Sequence, residues 1–130
     1  MDADKRRSGA PHTDLTYALI GAAMDVLNSL GHGLHEKPYE RALVVEFGLR
    51  QIPYVQQPPF PVMHKGVEVG TYIPDLVVTD RVIVDTKVIE RITAHERGQM
   101  MNYLRVPRLN VGLILNFKRS KLEWERVVLS

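Results

Sequence analysis

Val82-Ile83-Val84-Asp85-Thr86-Lys87 is an apolar, β-branched run that carries an acid and a base two residues apart. In a strand, residues i and i+2 point to the same face. Asp85 and Lys87 therefore rise side by side from a Val/Ile-rich element. Burying a carboxylate costs several kcal/mol unless it is paired or binds a metal. Ten residues earlier, Ile73-Pro74-Asp75-Leu76-Val77-Val78 offers a second acid in a second apolar run. Two acids and a lysine on one sheet face could form a metal site for phosphodiester hydrolysis.

Whether Asp75 and Asp85 can share a cation is a matter of register. In an antiparallel hairpin, directly opposed residues share a face and have Cβ atoms about 4.5 to 5.5 Å apart. Asp75 opposite Asp85 requires Val78 opposite Val82 and a three-residue loop, Thr79-Asp80-Arg81, a common hairpin length. A two-residue loop would set Asp75 against Thr86, on the wrong face. Two facing carboxylates repel, and a cation relieves that cost. An all-oxygen site favours Mg²⁺ or Mn²⁺, with the backbone carbonyl of Thr86 as a further ligand. Such an ion polarises a phosphate and lowers the pKa of a bound water. Lys87 could orient or activate that water and offset charge in the transition state. The strands alone leave a second reading open, in which Asp85 and Lys87 form an ion pair on a water-facing sheet.

The chain around this hairpin has 130 residues, enough for one domain with a genuine core. With 45% hydrophobic and 25% charged residues it has the composition of a globular protein. No apolar run approaches the roughly 18 to 20 residues of a membrane span. The start, Met1-Asp2-Ala3-Asp4-Lys5-Arg6-Arg7, is not a signal peptide, which makes the cytoplasm the expected location and residues 1–12 a flexible tail before a single domain over 13–130. The absence of cysteine excludes disulfides, thiolate zinc sites and a cysteine nucleophile. There is no P-loop and no dinucleotide fingerprint. Net charge is only +2, but residues 1–80 hold 7 Lys/Arg and 10 Asp/Glu, whereas residues 81–130 hold 10 Lys/Arg and 5 Asp/Glu. A basic C-terminal half could contact phosphates; a solvated charged surface is the plainer reading.

Helical spacing of Leu15, Leu19, Ala22, Ala23, Val26, Leu27 and Leu30 predicts a first helix, with Thr13 as N-cap, Gly21 packed close to a neighbour and Gly31 as terminator. Pro38 suits the first turn of a second helix that runs through Tyr39, Leu43 and Phe47 to about Arg50, making an αα-hairpin. Tyr54 to His64 is extended, with Pro58, Pro59 and Pro61 restricting its pairing. Val67–Val78 and Val82–Ile89 are expected as strands. Thr93-Ala94-His95-Glu96 has the form of a capping box opening a third helix, closed by Val106-Pro107. Val111–Phe117 reads as a buried strand and Leu122–Leu129 as an edge strand. The order α-α-β-β-β-α-β-β gives a three-strand meander, then a helix crossover to a mixed sheet.

Pro74-Asp75 followed by Asp85-Thr86-Lys87 resembles the PD-(D/E)xK nuclease motif, with Asp85 where Glu is commoner, a reach shorter by one methylene. Gln99-Met100-Met101-Asn102-Tyr103 resembles the Q-x-x-x-Y helix motif of the RecB-like and lambda-exonuclease-like branches, and Gly70 is in keeping with them. Gly33-Leu34-His35-Glu36-Lys37-Pro38-Tyr39 is similar to G-x-x-E-x-x-Y, the signature of the GxxExxY protein family, a predicted branch of that superfamily. The resemblance spans about Leu15 to Val128. It implies a restriction-endonuclease-like αβββαβ core with a four- to five-stranded mixed sheet. It also implies Glu36 as a third acid at the metal, beside the plainer reading of a carboxylate on a helix N-terminus.

Glu40, one turn on, is the fallback acid and otherwise a solvent-facing residue. Gln99 and Tyr103 share a helix face; Gln99 could hold a water or phosphate oxygen, and Tyr103 could brace the site or pack in the core. His95 reads as an exposed helix-start residue, Tyr39 as a packing residue and Trp124 as a strand residue. The expected function is a divalent-metal-dependent nuclease acting on DNA in preference to RNA. Asp75 and Asp85 hold the ion with Thr86 and Glu36, Lys87 assists the water, and Gln99 stabilises the arrangement. The alternative is a nuclease-like module with little catalysis, acting in self-assembly or nucleic-acid binding. A domain this small is expected to form a homo-oligomer or join a partner protein, through Gln57–Pro61 or the last strand.

Overall fold

A computed structural model describes residues 11–129. The tail expected over residues 1–12 lies outside the described residues except for Pro11 and His12. Helix α1 (Thr13–Leu30) and helix α2 (Glu36–Leu49) form the αα-hairpin. Strands β1 (Tyr54–Gln56), β2 (Phe60–His64), β3 (Val67–Tyr72), β4 (Leu76–Val78) and β5 (Val82–Lys87) follow, then α3 (Ala94–Arg105), β6 (Val111–Asn116) and β7 (Glu123–Val128). The main sheet has five strands in the order β1-β4-β5-β6-β7. β5 and β6 are parallel, joined through α3, and the other neighbours are antiparallel. The fold is α/β, with a mixed sheet, two N-terminal helices and one crossover helix, as the sequence predicts.

Three local expectations are corrected. Val67–Val78 is not one strand. It breaks at Ile73-Pro74-Asp75, and β3 pairs with β2 in a separate two-stranded sheet. Pro74 supplies no N–H to a ladder, and Asp75 spends its carboxylate on β5. The meander therefore takes β1 instead of the β2–β3 arm, through Tyr54 opposite Val78 and Gln56 opposite Leu76. The N-terminal residue of α1 is also displaced. His12, with φ of 58°, stands at the N-cap, and Thr13 is already helical. Finally, Gly21 faces no backbone; the nearest atom to a Cβ there would be an Arg50 guanidinium nitrogen at 3.7 Å.

Other elements follow their residues. The Gly31 N–H donates to Leu27 O at 2.8 Å and ends α1 with φ of 80°. The Thr93 N–H and hydroxyl each donate to Glu96 Oε1 at 2.7 Å, and the His95 N–H donates to Thr93 Oγ1 at 3.2 Å, completing the capping box of α3.

Alternation on the strands sorts the core onto two faces. Leu76, Val78, Val82, Val84, Leu113 and Leu115 face α1 and α2, where Leu19, Ala23, Leu43 and Phe47 pack. Val77, Ile83 and Ile114 face α3 through Met100 and Leu104. α3 lies so close to β6 that a Cβ on Gly112 would overlap the Met100 side chain. Asp85 and Lys87 share the parity of Ile83 and so rise on the α3 face.

The segment between β5 and α3 is pinned by two side chains of the sheet. Buried Asn116 accepts from the Ile89 N–H at 3.0 Å and donates to Ile89 O at 2.9 Å and to Glu123 Oε1 at 2.8 Å. Both Glu123 carboxylate oxygens accept from the Ile92 N–H at 3.1 Å.

Candidate active site

β4 and β5 pair as Leu76–Val84, Val77–Ile83 and Val78–Val82, closed by the loop Thr79-Asp80-Arg81. This is the three-residue register that sets Asp75 level with Asp85. Thr79 and Asp80 turn the chain with φ of 51° and 58°. Asp75 lies one residue before β4 rather than within it. Its backbone is held by the Gln57 N–H, which donates to Asp75 O at 2.9 Å. Its Oδ2 accepts from the Thr86 N–H at 2.9 Å and from the Thr86 hydroxyl at 3.0 Å. Thr86 is buried. A residue's N–H and C=O leave a strand on the same edge, so the Thr86 carbonyl lies on the edge that faces Asp75.

The register sets Asp85 level with Asp75, near enough for the two carboxyls to interact, and Lys87 Nζ lies 3.4 Å from Asp85 Oδ2. Burial, then the adjacent Asp75 carboxylate, pushes the Asp85 carboxyl up to about 7, against the pull of Lys87. Lys87 is shifted the other way by burial, but the Asp85 charge and hydrogen bond more than offset this and hold its ammonium above the ordinary range. Asp85 and Lys87 thus interact directly, and neither is the solvated surface pair that the strands alone left open: their side chains are 16% and 22% exposed.

The other predicted residues are distributed unevenly around this trio. Glu36 is the first residue of α2 and is exposed. Its charge contributes to the raised Lys87. It lines a groove of about 450 Å³ with His35, Val88 and Lys118. Among the described residues, no three acidic or histidine side chains gather closely enough to hold a metal ion, so Glu36 does not stand beside Asp75 and Asp85. Gln99 is half-buried on α3. Tyr103 stacks on Tyr72, with centroids 4.1 Å apart and planes 14° apart. Tyr39 is fully buried, stacks on Phe117 at 4.3 Å and donates its hydroxyl to Gly31 O at 2.6 Å, a packing role as expected. His95 is exposed.

Two residues belong near the site that sequence reasoning passed over or misjudged. Tyr72 ends β3, and its hydroxyl is held above the ordinary range by burial, then by Asp85, Tyr103 and Asp75. Its stacking on Tyr103 brings it there, a tertiary contact that no local sequence pattern marks. Glu40 is not solvent-facing. Its side chain is 3% exposed and accepts from Lys37 Nζ at 3.1 Å, Gln56 Nε2 at 2.7 Å and Gln57 Nε2 at 3.3 Å. Through Gln57 it reaches the backbone that holds Asp75. A buried carboxylate needs such partners; Lys37 is a turn back on α2, but Gln56 at the end of β1 and Gln57 just after it lie far off in sequence.

The donor set fits a hard divalent cation. Asp75, Asp85 and the Thr86 carbonyl are oxygen donors, and Mg²⁺ is commonly held by one or two carboxylates, with waters and substrate phosphate completing its shell. The unfavourable approach of Asp85 to Asp75 is what a cation would relieve.

Comparison with known proteins was informative at the level of family. No curated protein matches the sequence. One solved structure, described as the crystal structure of SSO0001, aligns over 90% of this chain and 79% of its own, at 12% identity and a TM-score of 0.42. No helix among the described residues is long and apolar enough to cross a membrane. The sequence profile of the PD-(D/E)XK nuclease superfamily matches residues 13–127. The chain is a member of the PD-(D/E)XK nuclease superfamily.

Proposed function

We propose that this protein is a divalent-metal-dependent nuclease that hydrolyses phosphodiester bonds of DNA. The observation that carries the reading is the close approach of Asp75 and Asp85, with Lys87 3.4 Å from Asp85, at the end of a buried strand. Superfamily membership gives nucleic acid as the substrate class and a typical dependence on metal. Within the superfamily, the motifs at Gly33–Tyr39 and Gln99–Tyr103 support placement in the GxxExxY branch.

Asp75, Asp85 and the Thr86 carbonyl would hold Mg²⁺ or Mn²⁺, while Glu36, at the N-terminus of α2, acts on the site through its charge on Lys87. Bound there, the cation supplies phosphate polarisation and a water of lowered pKa. Thr86 fixes the Asp75 carboxylate through two hydrogen bonds to Oδ2. Lys87, anchored by Asp85, orients the attacking water and offsets negative charge on the phosphate. Gln99, on the helix that covers this face, contacts a water or phosphate oxygen. Tyr72 and Tyr103 wall the site as a stacked pair.

One observation favours the second reading, a nuclease-like module with little catalysis: among the described residues, no third acid joins the pair. Calorimetric titration of Mn²⁺, repeated on Asp75→Ala and Asp85→Ala, separates the two. Binding lost in both variants, with Mn²⁺-dependent cleavage of linear or circular DNA by the wild type, supports the nuclease. Absent binding and a large particle in light scattering would establish the assembly module instead.

A further inference from the structure

Unpaired cations collect at the end of the sheet where Lys87 stands. β5 and β6 run parallel with Lys87 level with Asn116, so the turn after β6 leaves the sheet at that end. It reads Phe117-Lys118-Arg119-Ser120-Lys121, with Phe117 buried and the next four residues exposed. The turn is fastened to the site. The Phe117 N–H donates to Lys87 O at 2.9 Å, and the Gly33 N–H donates to Phe117 O at 3.0 Å. His32 Nδ1 lies 3.2 Å from Lys118 O. Arg91, in the segment that follows β5, lines a pocket of about 110 Å³ together with Arg119 and Lys121.

Two of the acids nearby are already engaged, and Glu36, across the groove from Lys118, makes no ion pair among the described residues. Arg119 pairs with Glu90 at 3.0 Å. Glu123, on the wall of the same pocket, is held by Asn116 and by the Ile92 N–H. Among the described residues, Arg91, Lys118 and Lys121 make no ion pair and no side-chain hydrogen bond. Lys118 lines the groove that also holds Glu36 and Val88, the residue after Lys87. Three cations that make no ion pair among the described residues, on a backbone tied to the candidate catalytic strand, form a surface complementary to a polyanion. Lysines acting as point charges suit phosphate contact, which needs no base readout.

We infer that Arg91, Lys118 and Lys121 hold the phosphate backbone of a polynucleotide beside the site of cleavage. The inference rests on the phosphodiesterase reading of Asp75, Asp85 and Lys87 and assigns the flank on which the strand leaves them. The contacts are sequence-independent and electrostatic, so binding weakens as counterions compete.

The test is the salt dependence of DNA binding by the full chain. Anisotropy of a fluorescent duplex of about 20 base pairs is read in EDTA between about 50 and 200 mM NaCl. The variants are Arg91→Gln/Lys118→Gln/Lys121→Gln and the milder Lys118→Gln/Lys121→Gln. Arg41→Gln/Lys65→Gln, which removes exposed cations from α2 and from the β2–β3 turn, is the control. Each phosphate contact contributes about 0.9 to the slope of log K against log salt. The triple variant is expected to lose roughly 2 to 3 from that slope and the double variant roughly 2, with melting temperatures unchanged. An unchanged slope in both, or an equal loss in the control, overturns the surface. Mn²⁺-dependent cleavage by the wild type is scored separately on the same duplex. A fallen slope without cleavage supports the surface and removes the hydrolase reading; cleavage with an unchanged slope removes the surface alone.

Discussion

The chain contains two antiparallel hairpins close together in sequence, and they have opposite characters. β4–β5 is buried on both faces, keeps a constant register and closes through Thr79-Asp80-Arg81. β2–β3 stands outside the main sheet, carries a register shift between Val62 and Met63, and exposes five of the six residues of β3. Charge means different things in the two. Glu68 on β3 is solvated and costs almost nothing, so it reports no function. Asp85 sits where an uncompensated charge is expensive, and an acid kept at such a place requires a partner. Position in the fold, rather than residue type, is what makes Asp85 and Lys87 informative.

Substitutions can break this contrast. The largest effect is expected at Asp85→Ala, which should lower Mn²⁺-dependent cleavage by roughly 10²–10³-fold or more without lowering the melting temperature of the cation-free protein. Cleavage at the wild-type rate would remove Asp85 from the mechanism. Glu40→Ala comes next. It leaves Gln56 and Gln57 without their buried acceptor and should cost about 3 kcal/mol in denaturant unfolding. Glu68→Ala on the exposed hairpin should change stability by less than about 0.5 kcal/mol. Equal losses in the two would mean that burial does not distinguish them.

The pH dependence is third. Folding raises Asp85 to about 7, so the folded chain holds a proton between the ordinary aspartate value and neutrality that the unfolded chain has released. Stability from this group is present in acid and is lost as pH rises from about 4 to about 7. The loss should be on the order of 4 kcal/mol in EDTA, be absent in Asp85→Asn, and shrink when Mn²⁺ is added. Thermal melts across that range check it; a flat profile for this contribution would deny the crowding of Asp75 and Asp85. The smallest contrast uses glycines. Gly112→Ala overlaps Met100 and should cost about 1–3 kcal/mol. Gly70→Ala on β3 meets nothing within 4 Å and should be within about 0.5 kcal/mol of wild type.

What could be read from the residues was whatever short-range pattern controls. The β4–β5 register followed from loop length and parity, and the Thr93–Glu96 capping box from spacing alone. The buried β6 followed from an unbroken apolar run. What stayed hidden depended on distant partners. Val67–Val78 alternates well enough for one strand, and only tertiary pairing of β1 with β4 shows that the chain changes sheets at Pro74. Glu40 looks exposed on a helical wheel until Gln56 and Gln57 arrive from β1. Tyr72 carries no local mark of its proximity to Asp85, which arises because the β2–β3 arm folds back onto α3. Glu36 was placed by motif, whereas α2 covers the other side of the sheet from Asp85 and Lys87.

The bonds that Asn116 and Glu123 make to Ile89 and Ile92 have a kinetic and entropic consequence. They weld the strand that ends in Lys87 to the helix that carries Gln99, so those two groups keep their spacing before any substrate arrives. Little conformational freedom is then left to surrender in that linker on binding, and a ligand's interaction energy need not be spent on assembling that half of the cleft.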